Sequence, residues 1–560
     1  MKKTTTICSL AAAGLMLFSA CVKEIDPQNS SITEEQVNNA PGGFDNLVAG
    51  ITNRLVGEYV YGSRRANDLG YPGFFLQRDL MGQDIAVEST GYEWFATWYT
   101  CGTGLGPLYA YCQMPWTCYY KWIKSCNLVL EIAGAEPDAD HRTGAGIACA
   151  MRAMFYMDLA RMYATRQYAQ DPKAETVPLV KDNFTMADLS KNPRATAETL
   201  WTQILADLDR AETLLDGFKR SDVYTPDLSV VYGLKARAFL TMGKWKEAEE
   251  YARKAQQGYQ VMTEKEFTSR TEGFNTPNGA WMFGQTHKET NDHLQGGYDS
   301  WGSQMIIEVS ESGVGYAANA GAPKRIDRHL YETIPATDFR RKSFVDFAID
   351  AMGTRDEKLA ALADYSDSPQ GLLETAAATK SKVVGGLSVK FRPKDGEHVN
   401  YKAAFNVAVP FMRVEEMKLI EAEAAGMQDE ARGIALLTAF AKTRDPQYVY
   451  GKHTAEAYGS TYATPFQNEV WWQRRVELWG EGFATFDIKR LDKQVIRSYA
   501  GTNHPKGYRW NADAYGKNAG NYPNWMDLCI TNIEMDYNTA NLTNNPTPLR
   551  PTKDSPVHAW

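Results

Sequence analysis

The chain has 560 residues, of which 44% are hydrophobic and 12% aromatic. This length suffices for one large domain or for two to four average ones. The formal net charge is −8, and the sequence has no basic run or basic domain, which argues against a nucleic-acid partner.

The first residues are typical of a lipoprotein signal. Lys2 and Lys3 precede an apolar stretch over 7–20, which is too short to span a bilayer because a spanning helix needs roughly 20 apolar residues. The stretch ends at Cys21, where FSAC resembles a bacterial lipobox. The resemblance implies that residues 1–20 are a signal peptide and that Cys21 is lipidated. A soluble secreted protein is the alternative.

The charged residues after Cys21 carry a second indication. Lys23, Glu24 and Asp26 resemble the acidic export signal of surface-exposed lipoproteins. Residues 21–41 are predicted to be a flexible tether in either case.

Six cysteines remain once Cys8 and Cys21 are set aside. They are Cys101, Cys112, Cys118, Cys126, Cys149 and Cys529. No pair has the C-x-x-C spacing of a zinc or redox site. We expect packed free thiols, and one bridge within 101–126 remains an alternative.

Strongly helical spacing begins at Tyr119. Apolar residues recur every three or four positions over 119–130 and over 147–162, which predicts two amphipathic helices. Thr196 is predicted to cap a further helix, with Glu198 in its first turn.

Two later segments share the frame Gly-x-x-x-Glu-Ala, which resembles a tetratricopeptide repeat. MGKWKEAEEYARKA places Ala248 five residues after Gly243, and AGMQDEARGIALL places Ala431 five residues after Gly426. The glycine would end one helix, and the small alanine would let the next helix approach closely. Two ordinary helical hairpins are the alternative.

Repeat units of this kind need neighbours that cover their apolar faces. We therefore predict helical repeats over about 119–262 and over about 411–490.

Between these two repeat regions, from about 267 to 409, the composition changes. Glycine and asparagine interleave with aromatic residues, as in NDHLQGGYDSWGSQ and SGVGYAANAGAP. Since long irregular segments in compact domains are usually functional or disordered, we predict a loop-rich binding region there. A second irregular segment occupies 493–560.

The C-terminal stretch RRVELWGEGFATFDIKRLD carries the clearest family resemblance. It contains Glu477-Leu478, Glu481-Gly482 and Phe486-Asp487-Ile488-Lys489-Arg490. Further matching stretches are WTQILADLDRAETLL, ACAMRAMFYMDLARMYA, MRVEEMKLIEAEAAGMQDEA and GQDIAV with Asp84. In this order they resemble the SusD/RagB family of outer-membrane nutrient-binding lipoproteins of the Bacteroidetes. Ala484 and Thr485 depart from the Arg-aromatic pair that is common in the family.

The resemblance implies a mainly α fold. This would be a tetratricopeptide-like helical-repeat scaffold whose long, loop-rich insertions form a ligand-binding face, within one domain over 42–560. It also implies a lipoprotein of the outer-membrane surface that binds oligosaccharides or polysaccharide. The protein would deliver them unaltered, without a cofactor, to a SusC-like TonB-dependent transporter. The alternatives are a RagB-type peptide carrier and a repeat-based protein-interaction scaffold.

Two aromatic clusters are candidates for the ligand face. Aromatic rings pack on the C–H patches of sugars, and polar side chains bond the hydroxyls. The candidates are Tyr92, Trp94 and Trp98 in the first cluster, and Tyr298, Asp299 and Trp301 with Asn291 in the second. Trp98 and Trp301 are predicted to be the main platform, and burial of each ring in the core is the alternative.

No catalytic or metal-binding motif is found. HExxH, GxSxG, P-loop and dinucleotide fingerprints are absent, and His287 and His293 are too poorly placed for a ligand pair. We therefore predict that the protein is not an enzyme. Glu477 and Glu481 could in principle be a glycosidase acid–base pair, but we interpret them as members of structural ion pairs.

Overall fold

The computed structural model describes residues 40, 42–57, 60–62, 67–88, 94–101, 103–291, 294 and 296–560. Two units are distinguished, Met1–Asn46 and Leu47–Trp560. In the first unit, the described part is residue 40 and residues 42–46, where a helix begins. The predicted signal peptide, Cys21 and nearly all of the predicted tether lie outside the described residues.

The described part of the chain is mainly helical, which confirms the predicted fold class. The helices are Gly43–Asn53, Tyr71–Leu80, Ala96–Tyr99, Ala110–Ala133, Arg142–Tyr163, Met186–Leu189, Ala197–Leu214, Leu228–Met242, Trp245–Ala255, Glu264–Phe267, Trp301–Met305, Tyr316–Asn319, Arg328–Thr333, Arg355–Leu362, Pro369–Ala377, Tyr401–Ala404, Val414–Gly426, Glu430–Ala441, Pro465–Glu477, Ala484–Arg490 and Asn532–Tyr537. Short 3₁₀ turns lie at Arg54–Val56, Thr103–Leu105, Ser310–Ser312, Phe339–Ser343, Phe347–Ala351, Lys394–Gly396 and Asn524–Met526.

The strands form three antiparallel pairs. Ile85–Ala86 pairs with Arg325–Ile326, Glu175–Pro178 with Arg194–Thr196, and Trp281–Thr286 with Ala408–Arg413.

The long helices of Leu47–Trp560 stack in a row, and each contacts the next. Their order is Ala110–Ala133, Arg142–Tyr163, Ala197–Leu214, Leu228–Met242, Trp245–Ala255, Val414–Gly426 and Glu430–Ala441. This row is the predicted helical-repeat scaffold. The chain leaves the row after Ala255 and re-enters it at Val414, so the second predicted repeat packs directly on the first.

The first hairpin follows the sequence prediction closely. Gly243 ends the helix Leu228–Met242 with a left-handed φ of 68°, and the N–H of Lys244 donates to the carbonyl of Phe239 at 2.9 Å. Ala248 is fully buried, as a close approach of the two helices requires. Upstream, the Oγ1 of Thr196 accepts the N–H of Thr199 at 3.2 Å and caps its helix as predicted.

The second hairpin differs from the prediction. Gly426 is the last residue of its helix, and a Cβ there would lie 2.1 Å from Cε1 of Phe466. A Cβ on Gly433 would lie 2.2 Å from the Cα of Gly426. The helices therefore meet at two glycines, whereas Ala431 is exposed. The prediction that Ala431 provides the close approach is wrong, because this helix begins at a different offset from the glycine.

A strand pair closes the base of the insertion. Trp281–Thr286 and Ala408–Arg413 pair with Trp281 opposite Arg413 and Thr286 opposite Ala408. The ladder holds both ends of residues 287–407, which lie within the segment 267–409 that the sequence predicted to be loop-rich. Within this insertion a separate apolar cluster is buried, formed by Ile307, Ala317, Val345, Ile349, Leu362, Leu372, Ala376, Val384, Leu387 and Val389. The insertion thus has a core of its own.

Two further expectations concern cysteines and membrane segments. All six cysteines beyond the N-terminal segment are buried free thiols. In the part of the chain that the structure describes, no helix is both long and apolar enough to cross a membrane.

Candidate ligand-binding face

The two tryptophans predicted to form the main platform are buried. Trp98 is 0% exposed and Trp301 is 1% exposed. Trp98 packs edge-on against Tyr111, with ring centroids 5.2 Å apart, and Trp301 packs edge-on against Phe391 at 4.9 Å. The expectation that these rings are exposed is wrong. Each lies on a short helix that packs inward, where burial of an indole removes a large apolar area from water.

In the first cluster, Trp94 is half-buried, so part of its side chain remains accessible to solvent. Its ring centroid lies 4.4 Å from that of Tyr316, and its carbonyl accepts a hydrogen bond from Nδ2 of Asn67 at 3.0 Å. These contacts fix one side of the indole. Tyr92 lies outside the described residues.

The second cluster also retains accessible side chains. Tyr298 and Asp299 are half-buried, and the hydroxyl of Tyr298 donates to the carbonyl of Gly313 at 3.4 Å. Asn291 is half-buried too, and its Oδ1 accepts the N–H of Lys288 at 2.6 Å. Asn291 therefore closes a local turn with its side-chain carbonyl.

The segment 312–319 brings the two clusters together. The carbonyl of Gly313 accepts the hydroxyl of Tyr298, and the ring of Tyr316 packs against Trp94 at a tilt of 41°. The helix Tyr316–Asn319 also packs on the helix Trp301–Met305. Two clusters that are far apart in the sequence thus meet at one glycine-rich segment, SGVGYAAN.

Tyr401 joins this region, although the sequence analysis did not select it. It is half-buried, and a Cβ on Gly297 would lie 3.0 Å from its Cε2 and 3.1 Å from Cγ2 of Val314. Gly297 has a φ of 74°, so a glycine suits both its backbone and this close approach. The only sequence signal was a tyrosine in the same loop-rich insertion. We call Trp94, Tyr298 and Tyr401 the aromatic face.

An open groove of about 460 Å³ adjoins the aromatic face. It is lined by Glu311, Lys394, Asp395, Gly396, Glu397, His398, Val399 and Ala403. Glu311 lies two residues before Gly313, and Ala403 belongs to the same helix as Tyr401. We call this surface the acidic groove. Its volume falls in the range of small-molecule sites.

Hydrogen bonds hold the groove in shape. Oε1 of Glu397 accepts the N–H groups of Asn400 and Val399 at 2.9 and 2.7 Å, and these bonds keep the pKa of the Glu397 carboxyl below its usual value. Nδ1 of His398 lies 2.9 Å from the carbonyl oxygen of Glu308. The groove is therefore an ordered polar surface.

The C-terminal signature forms a different kind of site. Glu477 is fully buried and lies 3.1 to 3.3 Å from Arg340, Arg413 and Arg444. Burial alone would raise the pKa of Glu477, but the three guanidinium groups outweigh it and hold the pKa below its usual value. Glu481 is paired with Arg413 and Lys390 at 2.9 and 2.7 Å, and its pKa is also lowered.

This geometry does not suit an acid–base pair. A general acid needs a raised pKa and access to substrate, whereas both carboxylates are buried, ion-paired and have lowered pKa values. The structure therefore favours the interpretation of Glu477 and Glu481 as structural ion-pair partners.

No described group of three or more His, Cys, Asp or Glu side chains is arranged to hold a metal ion. His287 is buried, which lowers its pKa to about 4, and its Nδ1 lies 2.8 Å from the carbonyl oxygen of Val407. His293 lies outside the described residues.

Residues 80–240 match the model of a SusD-like family described as "Starch-binding associating with outer membrane". No relative is found among curated protein sequences.

Several solved structures share the fold over nearly the whole chain. A SusD-like carbohydrate-binding protein from Bacteroides vulgatus is 21% identical, with 90% of this chain and 97% of that chain covered and a TM-score of 0.66. A SusD superfamily protein from Bacteroides thetaiotaomicron is 19% identical, with 90% and 99% covered and a TM-score of 0.64. Surface glycan-binding protein A from the same species, solved with laminarihexaose, is 17% identical, with 90% and 98% covered and a TM-score of 0.61. At these identities the likeness shows a shared fold, and together with the family-model match it confirms the resemblance found in the sequence.

Proposed function

We propose that this chain, a SusD-like protein, is a non-catalytic surface lipoprotein that binds glycans and delivers them to a SusC-like TonB-dependent transporter of the outer membrane. The observation that carries the proposal is the aromatic face beside the acidic groove. Half-buried rings and hydrogen-bonding side chains meet there on a fold shared with carbohydrate-binding proteins.

The aromatic face suits a sugar ring physically. Trp94 is held by Tyr316, and Tyr298 is held by the carbonyl of Gly313. Because these rings are already fixed, a ligand that stacks on them costs little side-chain entropy. Sugar hydroxyls could then donate to the carboxylates of the groove, which are charged acceptors.

Anchoring and delivery are supported by other observations. The lipobox-like FSAC at Cys21 supports a lipid anchor, and several acyl chains would hold a protein at a membrane firmly because each buried CH₂ contributes about 0.8 kcal/mol. The family description supports association with the outer membrane. The transporter is inferred from the family resemblance alone.

Affinity electrophoresis tests the binding function. Wild type, Trp94→Ala and Tyr298→Ala would be run through gels containing laminarin, amylopectin or dextran, with Tyr537→Ala as control because that ring is 78% exposed elsewhere on the chain. We expect wild type and Tyr537→Ala to be retarded by at least one polysaccharide. The two face variants should bind about tenfold or more weakly, as for a central aromatic contact.

Two results would contradict the proposal. Equal retardation of wild type and both face variants would remove these rings from the site. Binding of a peptide mixture by calorimetry, with no retardation by any polysaccharide, would favour the peptide-carrier alternative. A reducing-end assay on the same samples should show no new sugar ends, since a binding protein leaves its ligand intact.

A further inference from the structure

We infer that the acidic groove makes this binding face selective for neutral glycans over glycans that carry carboxylate groups. The inference rests on the proposed function and narrows its ligand class. It follows from the charged residues of the groove, from the hydrogen-bond partners of those residues and from the absence of arginine among the described lining residues.

Carboxylates outnumber cations around the ligand face. The groove contributes Glu311, Asp395 and Glu397, and Asp299 lies beside Tyr298 in the second cluster. Among the described lining residues the cationic side chain is Lys394. Three groove carboxylates thus accompany one ammonium group.

The groove carboxylates are only weakly neutralised. Within the described residues, Asp395 has Lys394 at 3.8 Å, whereas Nζ of Lys394 donates to Oγ1 of Thr276 at 2.7 Å. Glu311 accepts from the hydroxyl of Ser368 at 3.0 Å, and Glu397 accepts from two backbone N–H groups. Glu311 and Glu397 are held by neutral donors, so their negative charge faces the groove.

The lining residues also lack the usual partner of an anionic sugar. A carboxylate is best recognised by the planar guanidinium of arginine through two parallel hydrogen bonds. No arginine is found among the described residues that line the groove. A uronate residue entering it would meet like charges within about 8 Å, the screening length at physiological salt.

The same carboxylates favour a neutral sugar. A hydroxyl that donates to a carboxylate forms a charge-assisted hydrogen bond, which is stronger than one between neutral groups. The groove therefore attracts neutral hydroxyl-bearing ligands and repels anionic ones, and specificity of this kind is a difference between two affinities.

A matched pair of probes tests the inference. Each of laminarin, amylopectin and dextran would be used both in native form and after partial oxidation of its alcohols to carboxylates, so that the backbone is kept and charge is added. For the polysaccharide that retards wild type, we expect the oxidised form to bind at least tenfold more weakly at 0.15 M salt. The difference should shrink in 1 M salt, where the screening length falls to about 3 Å.

Two triple variants locate the effect. Glu311→Gln/Asp395→Asn/Glu397→Gln removes the three groove charges, keeps a carbonyl acceptor at each position and should reduce the preference for the native form about tenfold. Glu131→Gln/Glu136→Gln/Asp216→Asn makes the same change in net charge at exposed sites of the helical repeats and should leave the preference as in wild type.

The outcomes separate the two proposals. Equal binding of native and oxidised polysaccharide by wild type would overturn the selectivity while leaving glycan binding intact. An equal loss of preference in both triple variants would show that overall charge, and not the groove, is responsible. Failure of wild type to bind any polysaccharide would overturn the proposed function, and this inference with it.

Discussion

Two charged regions of this molecule differ in burial and in the balance between cations and carboxylates. One is a buried cluster that we call the ion-pair core. Its members are Arg340, Lys390, Arg413 and Arg444 with Asp338, Glu415, Glu477 and Glu481, and all are at most 5% exposed. The other is the acidic groove, where Glu311, Asp395 and Glu397 outnumber Lys394 at the surface.

The comparison shows how burial decides what a charge can do. In the ion-pair core four cations meet four carboxylates, and every member has an opposite charge within 3.3 Å. Removing charges from water is costly unless each one is paired, so the balance is required by the fold. The groove is open to solvent, which tolerates unpaired charge, and its excess carboxylates can act on a ligand.

The largest expected effect comes from breaking the balance of the ion-pair core. Glu477→Gln keeps the shape of the side chain but leaves Arg340, Arg413 and Arg444 with one carboxylate fewer. We expect the free energy of unfolding to fall by roughly 5 kcal/mol, at the upper end for a broken buried ion pair. Urea unfolding followed by tryptophan fluorescence would measure the change.

The matched substitution in the groove is Glu311→Gln. This exposed position should change the free energy of unfolding by less than about 0.5 kcal/mol. If both variants lost the same stability, the contrast between a balanced core and an open groove would not hold.

The sequence predicted the scaffold well where local patterns decide the structure. The apolar periodicity over 119–162, the cap at Thr196 and the turn at Gly243 were all recognisable, because each depends on residues close together in the chain. The second hairpin was less predictable. Its close contact involves Phe466, which is distant in the sequence and touches Gly426 only in the folded chain.

The binding face was predictable only in outline. The aromatic clusters and the segment SGVGYAAN could be selected by composition, but Trp94 and Trp98 are equivalent by that measure. Their different burial depends on contacts made in the folded chain, among them Tyr316 against Trp94 and Tyr111 against Trp98. Tyr401 was missed for the same reason, since its approach to Gly297 joins residues that are about 100 positions apart in the sequence.

Trp98 and Trp94 in the first cluster allow the same comparison between a buried and an accessible position, here with uncharged side chains. Trp98→Ala should lower the free energy of unfolding by about 3–4 kcal/mol, because it leaves a cavity in the core. Trp94→Ala should lower it by less than about 1 kcal/mol, since the ring is only half-buried and the surface can relax. Thermal unfolding of both variants would measure this, and equal losses would contradict the assigned burial.

The last prediction concerns Lys493, a buried cation near the C-terminal signature that is not a member of the ion-pair core. Its Nζ donates to the carbonyls of Glu456 and Ala457 at 3.1 Å, and it forms no ion pair within the described residues. Burial, and after it the positive charge of Arg475, lowers the pKa of Lys493 to about 7. The unfolded chain would keep a lysine pKa of about 10.4.

The sign of the pH effect follows from these two values. Between pH 7 and about pH 10 the unfolded chain binds one proton more at Lys493 than the folded chain, so this residue makes the free energy of unfolding rise with pH, by at most about 1.4 kcal/mol per unit. Below pH 7 both states are protonated and the cost of burying the charge is fully present. Lys493→Met removes this slope, so the stability of the variant relative to wild type should decline as pH rises from 7 to 9.5.

Lys124→Met, at an exposed position, is the control. Its free energy of unfolding should change with pH as that of wild type does in the same urea titrations. If Lys493→Met also ran parallel to wild type, the ammonium group would be charged in the fold at all these pH values.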